Sequence, residues 1–193
     1  MKLTLKPETA DTRLAGLPVV IVSRSTLHRV FRELHRALGP EAERILYQAG
    51  LEAGEAVIGM VAKWTESRDA KEIVDHLCDI DSRCGWFAVD SLEVDPASRQ
   101  ARLRLRKTLE TYGIEGHATA PSCHFLRGYF TGFFRALFWS DGIECKEESC
   151  RGAGDNVCSF VLSDTQAVPQ APAAQTDAER GRPPEAANPP TSG

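Results

Sequence analysis

The stretch SCHFLRGYFTGFFRALFWSDGIECKEESCRGAGDNVCSF, Ser122 to Phe160, holds Cys123, Cys145, Cys150 and Cys158, four of the six cysteines in a chain of 193 residues. Cysteines gathered around an aromatic helix and a glycine turn form a disulfide framework, a redox site, a metal site or plain core, and each choice constrains the fold differently. The start, MKLTLKPETADTRLAG, contains no apolar run of signal-peptide length. The longest apolar stretch, Gly128 to Trp139, is broken by Arg135 and too short to span a bilayer. A cytoplasmic location is therefore expected, where thiols stay reduced, and disulfides lose ground.

Hydrophobic content of 42% and charged content of 26% are those of a soluble globular protein, and the length suits one domain with a single core. The net charge of −4 argues against a nucleic-acid or membrane-surface partner. From Thr165 to Gly193 the chain holds six of its eleven prolines and no aromatic, Leu or Ile. Such a segment cannot bury enough apolar surface to offset its ordering entropy, so residues 165–193 are expected to be a disordered tail. Residues 1–15 are expected to be an N-terminal extension, and 16–164 the folded domain.

Within that domain LPVVIV (Leu17–Val22) predicts a short strand. A helix follows, with Leu27, Val30, Phe31, Leu34 and Leu38 on one face, Ser25 as its cap, Gly39 as its stop, and His28 and His35 at the surface. Pro40 opens a second helix whose Ala49, Gly50, Ala53 and Gly54 form a small-residue face. A third is expected from about Ala70 to Ile80. GWFAVDSLEVD and RQARLRLRKTLE alternate around Asp95-Pro96-Ala97-Ser98 and predict a hairpin, with Arg102, Arg104 and Arg106 on a solvated face. CHFLRGYFTGFFRALFW predicts a fourth helix, with Gly128 and Gly132 letting it approach the sheet. GIECKEES and NVCSFVL predict a final hairpin around Gly152 and Gly154. The order implies an α+β domain with an antiparallel sheet and packed helices.

Catalytic signals are absent. GAGDNV lacks a third glycine and leads into a strand, there is no P-loop or G-x-S-x-G, and Cys78 and Cys84 are not a C-x-x-C pair. Adjacent Cys123 and His124 point about 100° apart on a helix, so they do not face each other. Plain core explains the aromatics and both Cys78 and Cys84. It does not explain Cys150 and Cys158, which flank a polar turn. Thiolates on either side of a hairpin turn can converge with Cys123 into a tetrahedral zinc site. Cys145 and Glu147 share a strand face, and both are open as the fourth ligand, with Cys145 preferred on softness.

The run of Cys123, Gly128-Tyr129, Gly132 and CKEESCRGAGDNVC resembles the 4-vinyl reductase domain, found in the sensor domains of phenol- and xylene-responsive bacterial activators. LYQAGLEAGEAVIG and GWFAVDSLEV extend the resemblance upstream. It implies a fold shared with Golgi-transport tethering subunits and NO-signalling ligand-binding domains, with an apolar cavity beside a zinc ion. It nominates Cys123, Glu147, Cys150 and Cys158 as the zinc ligands, replacing Cys145. For the cavity it suggests Trp86, Phe125, Tyr129 and His76. The tryptophan that the aromatic sensors use for phenol has no counterpart in RLRLRKTLE.

With no ATPase module or helix-turn-helix in the sequence, the expected function is a stand-alone, dimeric, non-enzymatic sensor. It would bind a small hydrophobic or aromatic ligand and act on a regulatory protein partner. Alternatives are a tetrapyrrole carrier or accessory factor in bacteriochlorophyll-type biosynthesis, and a ligand-free scaffold.

Overall fold

Two glycine pairs, each spaced by four, decide how the long helices meet. The computed structural model describes residues 3–9, 11–14 and 17–166, so the expected disordered tail lies outside the described residues from 167 onward. Helix α1 spans Arg24–Leu38, α2 Pro40–Thr65, α3 Ala70–Cys84 and α4 His124–Phe138. Gly50 and Gly54 of α2 lie against Gly128 and Gly132 of α4. A Cβ on Gly50 would fall on the Phe125 carbonyl, and on Gly54 on that of Tyr129. One on Gly128 or Gly132 would fall on the Tyr47 or Leu51 carbonyl. The helices run parallel with their backbones touching, which only glycine permits at these four positions. Gly128 and Gly132 therefore serve α2, not the sheet as the sequence suggested. The sheet-facing side of α4 is left to its rings.

The main sheet has the order β4-β5-β7-β6, all antiparallel. Its strands are β4 Phe87–Asp95, β5 Gln100–Thr108, β6 Ile143–Ser149 and β7 Cys158–Asp164. Period-two burial on β5 sends Ala101, Leu103 and Leu105 inward. Arg102, Arg104 and Arg106 stay exposed, beside Glu148 and Asp90. Phe130 of α4 packs between Phe87 of β4 and Phe160 of β7, at 5.6 and 5.2 Å between ring centres. The α+β class and both hairpins are as the sequence predicts.

Several local expectations shift. The apolar run at Leu17–Val22 pairs only through Leu17–Pro18 (β3), which adds to a hairpin of β1 (Leu3–Lys6) and β2 (Asp11–Leu14). Val20, Ile21 and Val22 find no partner strand among the described residues and lie exposed, so β-propensity alone does not extend the strand. The cap of α1 is Ser23, whose hydroxyl accepts from Thr26 N at 3.1 Å, not Ser25. His28 and His35 are half-buried, set against the rings of Tyr112 and His124. α3 continues to Cys84 before Gly85 stops it, and Cys84 is exposed where core was expected. Thr165 is still bound to the domain through the Gly142 carbonyl.

Gly54→Ala and Gly132→Ala must push two backbones apart, so each should destabilise the chain by about 3 kcal/mol, the size of an overpacked core. Gly59, exposed on α2 with nothing within 4 Å of where a Cβ would sit, is the control. Gly59→Ala should stabilise by about 0.5–1 kcal/mol through helix propensity. Denaturant unfolding of the three variants reads both signs.

Candidate metal centre and the adjoining aromatic cluster

Cys123 sits at the N-cap of α4, where Ser, Thr, Asp or Asn would ordinarily accept from the first turn. Its own side chain does not cap. Two carboxylates from elsewhere do that work. Glu147 on β6 accepts from Cys123 N at 3.0 Å. Glu110, on the loop after β5, accepts from Phe125 N at 2.8 Å and Leu126 N at 2.9 Å, one per oxygen. The cysteine sulfur is thereby left free for other work.

That sulfur lies 3.7 Å from Cys158 Sγ and 3.9 Å from Cys150 Sγ. With one carboxylate oxygen of Glu147, the ligand atoms of all four residues fall within 4.8 Å of one another. Sulfurs held about 2.3 Å from a tetrahedral ion would be about 3.8 Å apart, so the spacing fits one metal ion. Glu147 Oε1 is buried with no hydrogen-bond partner, the kind of orphan that a cation satisfies. All three cysteines are fully buried.

The remaining contacts favour thiolates. Cys150 Sγ lies near Ser122 N and Ser122 Oγ, both at 3.5 Å, and Cys158 Sγ accepts from Arg151 N at 3.3 Å. Thr108 Oγ1 is 3.6 Å from Cys123 Sγ. Hydrogen bonds from Cys123, then Cys158, hold Cys150 far below the usual thiol range, while burial pushes Cys123 well above it. Burial, then the Cys150 sulfur, pushes the Glu147 carboxyl up to about 8. One thiolate thus collects the protons of its neighbours, and a cation would take their place.

The structure therefore brings together Cys123, Glu147, Cys150 and Cys158. Cys145, preferred on softness, is buried on the same face of β6 but lies outside the group. Glu110 and Thr108 are the additions that sequence reasoning missed.

A second cluster lies further along α4. Phe125 and Tyr129, one turn apart, stack at 12° and 6.3 Å. Trp86 leans on both, at 5.7 and 5.2 Å. Tyr129 Oη donates to Asp81 Oδ2 at 3.0 Å. Asp81 occupies the buried stripe of α3 with Ile73, Val74, Leu77 and Cys78. Burial pushes its carboxyl up to about 7, against the Tyr129 hydrogen bond. His76 is half-buried on the flank of α3, and no hydrogen bond or ring contact joins it to the three aromatics.

Residues 109–164 match the family model of the vinyl-4-reductase domain, bearing out the 4-vinyl reductase resemblance. No curated protein sequence matches. Among solved structures, the phenol-responsive sensory domain of the transcription activator PoxR, with phenol, is similar at TM-score 0.70 and 17% identity, over 84% of each chain. A trafficking protein particle complex subunit 3 from Naegleria fowleri, covalently bound to palmitic acid, is similar at 0.53 and 10%, over 72% of this chain and 93% of that one. These likenesses are of fold. No helix among the described residues is long and apolar enough to cross a membrane.

Asp81 also sets a pH dependence. The folded chain keeps its proton to about pH 7, whereas the unfolded chain releases it near an ordinary carboxyl value of about 3.9. The folded state binds more protons in that window, so the stability contributed is present at low pH and lost as pH rises to 7. Asp81→Asn cannot ionise. Its stability relative to the parent should improve by about 2–3 kcal/mol between pH 5 and pH 8, as read by denaturant unfolding at both.

Proposed function

We propose that this chain, through its vinyl-4-reductase domain, is a metal-clamped module that binds a small hydrophobic ligand and relays it to a protein partner, not an enzyme. One observation carries this: a single helix supplies both the candidate metal ligand and the wall of the aromatic cluster. Cys123 lies at the start of α4, and Phe125 and Tyr129 follow within its first two turns. A metal at the cysteines would tie that start to the β6–β7 hairpin through Glu147, Cys150 and Cys158. The aromatic wall would then be held in register against Trp86. The fold supports the same use, since the similar sensory domain is described with phenol and the similar trafficking subunit with palmitic acid.

Zinc suits the donor set best, because three sulfurs and one carboxylate oxygen are borderline-soft and match its preferred four-coordinate shell. Four protein donors leave no position for a reacting water, so the ion is structural. The partner is a regulatory protein or a second copy of the chain.

Protein purified without added metal should carry one zinc per chain by elemental analysis. Glu147→Ala should lose zinc to a chelator at least about tenfold more readily than Cys145→Ala, in line with loss of a direct ligand. The reverse ranking would move the fourth ligand to Cys145, and metal-free folded protein would remove the clamp altogether.

Because thiolates must be deprotonated and together, binding and local folding are coupled. Complete chelation should therefore raise hydrogen exchange across Ser122–Leu162 while α2 keeps its helical signal. Unchanged protection there would mean that the sheet and α2 hold α4 without the ion.

A further inference from the structure

Position 81 belongs to the core stripe of α3, yet it carries a carboxyl. Ile73, Val74, Leu77 and Cys78 precede it on the same face, and Asp81 itself is only 6% exposed. A buried acid without a cation is costly unless something uses it. Here no Lys, Arg or His pairs with it among the described residues. Cys78 and Cys84, the other titratable neighbours, are thiols that burial, and then the charge of Asp81, push up. Its one side-chain hydrogen bond is the donation from Tyr129 Oη to Oδ2, and no described residue donates to Oδ1.

What surrounds the carboxyl is flat and apolar. Gly85 ends α3, and Trp86 N returns to donate to the Asp81 carbonyl at 2.9 Å, which pins Trp86 beside the acid. The Trp86, Phe125 and Tyr129 rings then share one cluster. The outer cover is α1. Its Arg24 donates to the Gly85 carbonyl at 2.8 Å, His28 meets the Tyr112 ring, and His35 meets His124, the residue before Phe125. Leu27 and Phe31 pack inward from it, yet none of its 15 residues is buried. It is the one wall of the cluster that can shift to admit a molecule without breaking the glycine crossing or the sheet.

We infer that Asp81 and Tyr129 are the polar end of the ligand site and that its ligand is a flat aromatic molecule bearing an N–H or O–H donor, not an aromatic acid. This rests on the small-ligand function proposed above. Oδ1 of Asp81 is an unused acceptor, and the Tyr129 oxygen keeps lone pairs after donating its proton. A donor-bearing ring satisfies both while its face lies on Trp86 or Phe125. A ring without a donor leaves the acid unpaired, and a carboxylate adds a second negative group where no cation offsets it.

The test is the binding of aniline, phenol, toluene and benzoate to the full chain by calorimetry, with Trp fluorescence as a second readout. Aniline and phenol should bind at least about tenfold more tightly than toluene, with benzoate weakest, the size expected for one buried hydrogen bond to a carboxyl group. Asp81→Asn, which offers an N–H₂ in place of an oxygen, should narrow the gap between aniline and benzoate by about tenfold. Tyr129→Phe keeps the ring and should reduce the donor preference about threefold to tenfold, which guards against a fold defect at Asp81. If either folded variant keeps the parent's ranking of the four probes, the assignment of the polar end is wrong and the small-ligand function stands. If the parent binds none of them, both fall together.

Discussion

Everything placed on α4 depends on the backbone contact it makes with α2. Gly50, Gly54, Gly128 and Gly132 remove the side chains that would separate the helices, and each position faces a carbonyl of the other helix. Tyr47 reinforces the crossing: its hydroxyl donates to Thr131 Oγ1 at 3.3 Å, and its ring lies under the Arg127 guanidinium at 5.3 Å. With one side of α4 fixed in this way, its opposite side meets the sheet through Phe130, and its start meets the β6–β7 turn. A one-residue slip along the crossing would put a Cβ on a carbonyl and carry Cys123 out of reach of Cys150 and Cys158.

The start of α4 shows a division of labour. A cysteine at the N-cap is a poor cap, and the helix begins with backbone donors that need acceptors. Glu110 and Glu147 reach in from the β5–α4 loop and from β6 to supply them, and two carboxylates also suit the positive end of the helix. Glu147 has a second oxygen to spare, and that oxygen is the orphan beside the three sulfurs. Glu110 spends both of its oxygens on the helix, its buried carboxyl pushed up to about 8 by burial despite the two N–H donors. The two acids look alike in the sequence and separate only by where the chain brings them.

This marks the limit of what could be read beforehand. The cysteines on either side of a glycine turn, the apolar alternation of β5 and the Pro40 start of α2 are local signals, and the hairpins and the α+β order follow from them. The family resemblance chose Glu147 over Cys145, and in the structure it is Glu147 that joins the sulfurs. Softness alone favoured Cys145, because softness says nothing about reach. The small residues of both helices were visible, but not that they answered each other, since tertiary pairing leaves no local period. Glu110 stands in a Thr-Leu-Glu-Thr run with no signal of burial. Asp81 read as one more polar residue, because its α3 was expected to stop near Ile80.

The walls around the aromatic cluster are unequal, and the inequality has a consequence for how such a module responds. α4 is held by a backbone crossing, by rings on the sheet and by the four-residue cluster at its start. α1 is held by half-buried side chains, the Arg24 hydrogen bond and two histidine contacts. Local opening draws on the elements with the fewest buried contacts, so the free energy to displace α1 is the smaller by a wide margin. A molecule that enters beside Trp86 is read out by the helix that moves, and that helix lies on the outside of the domain, next to exposed Val30 and Leu38. Clamping one wall with a metal and leaving the other to side-chain contacts concentrates the response in α1, where a partner can sense it.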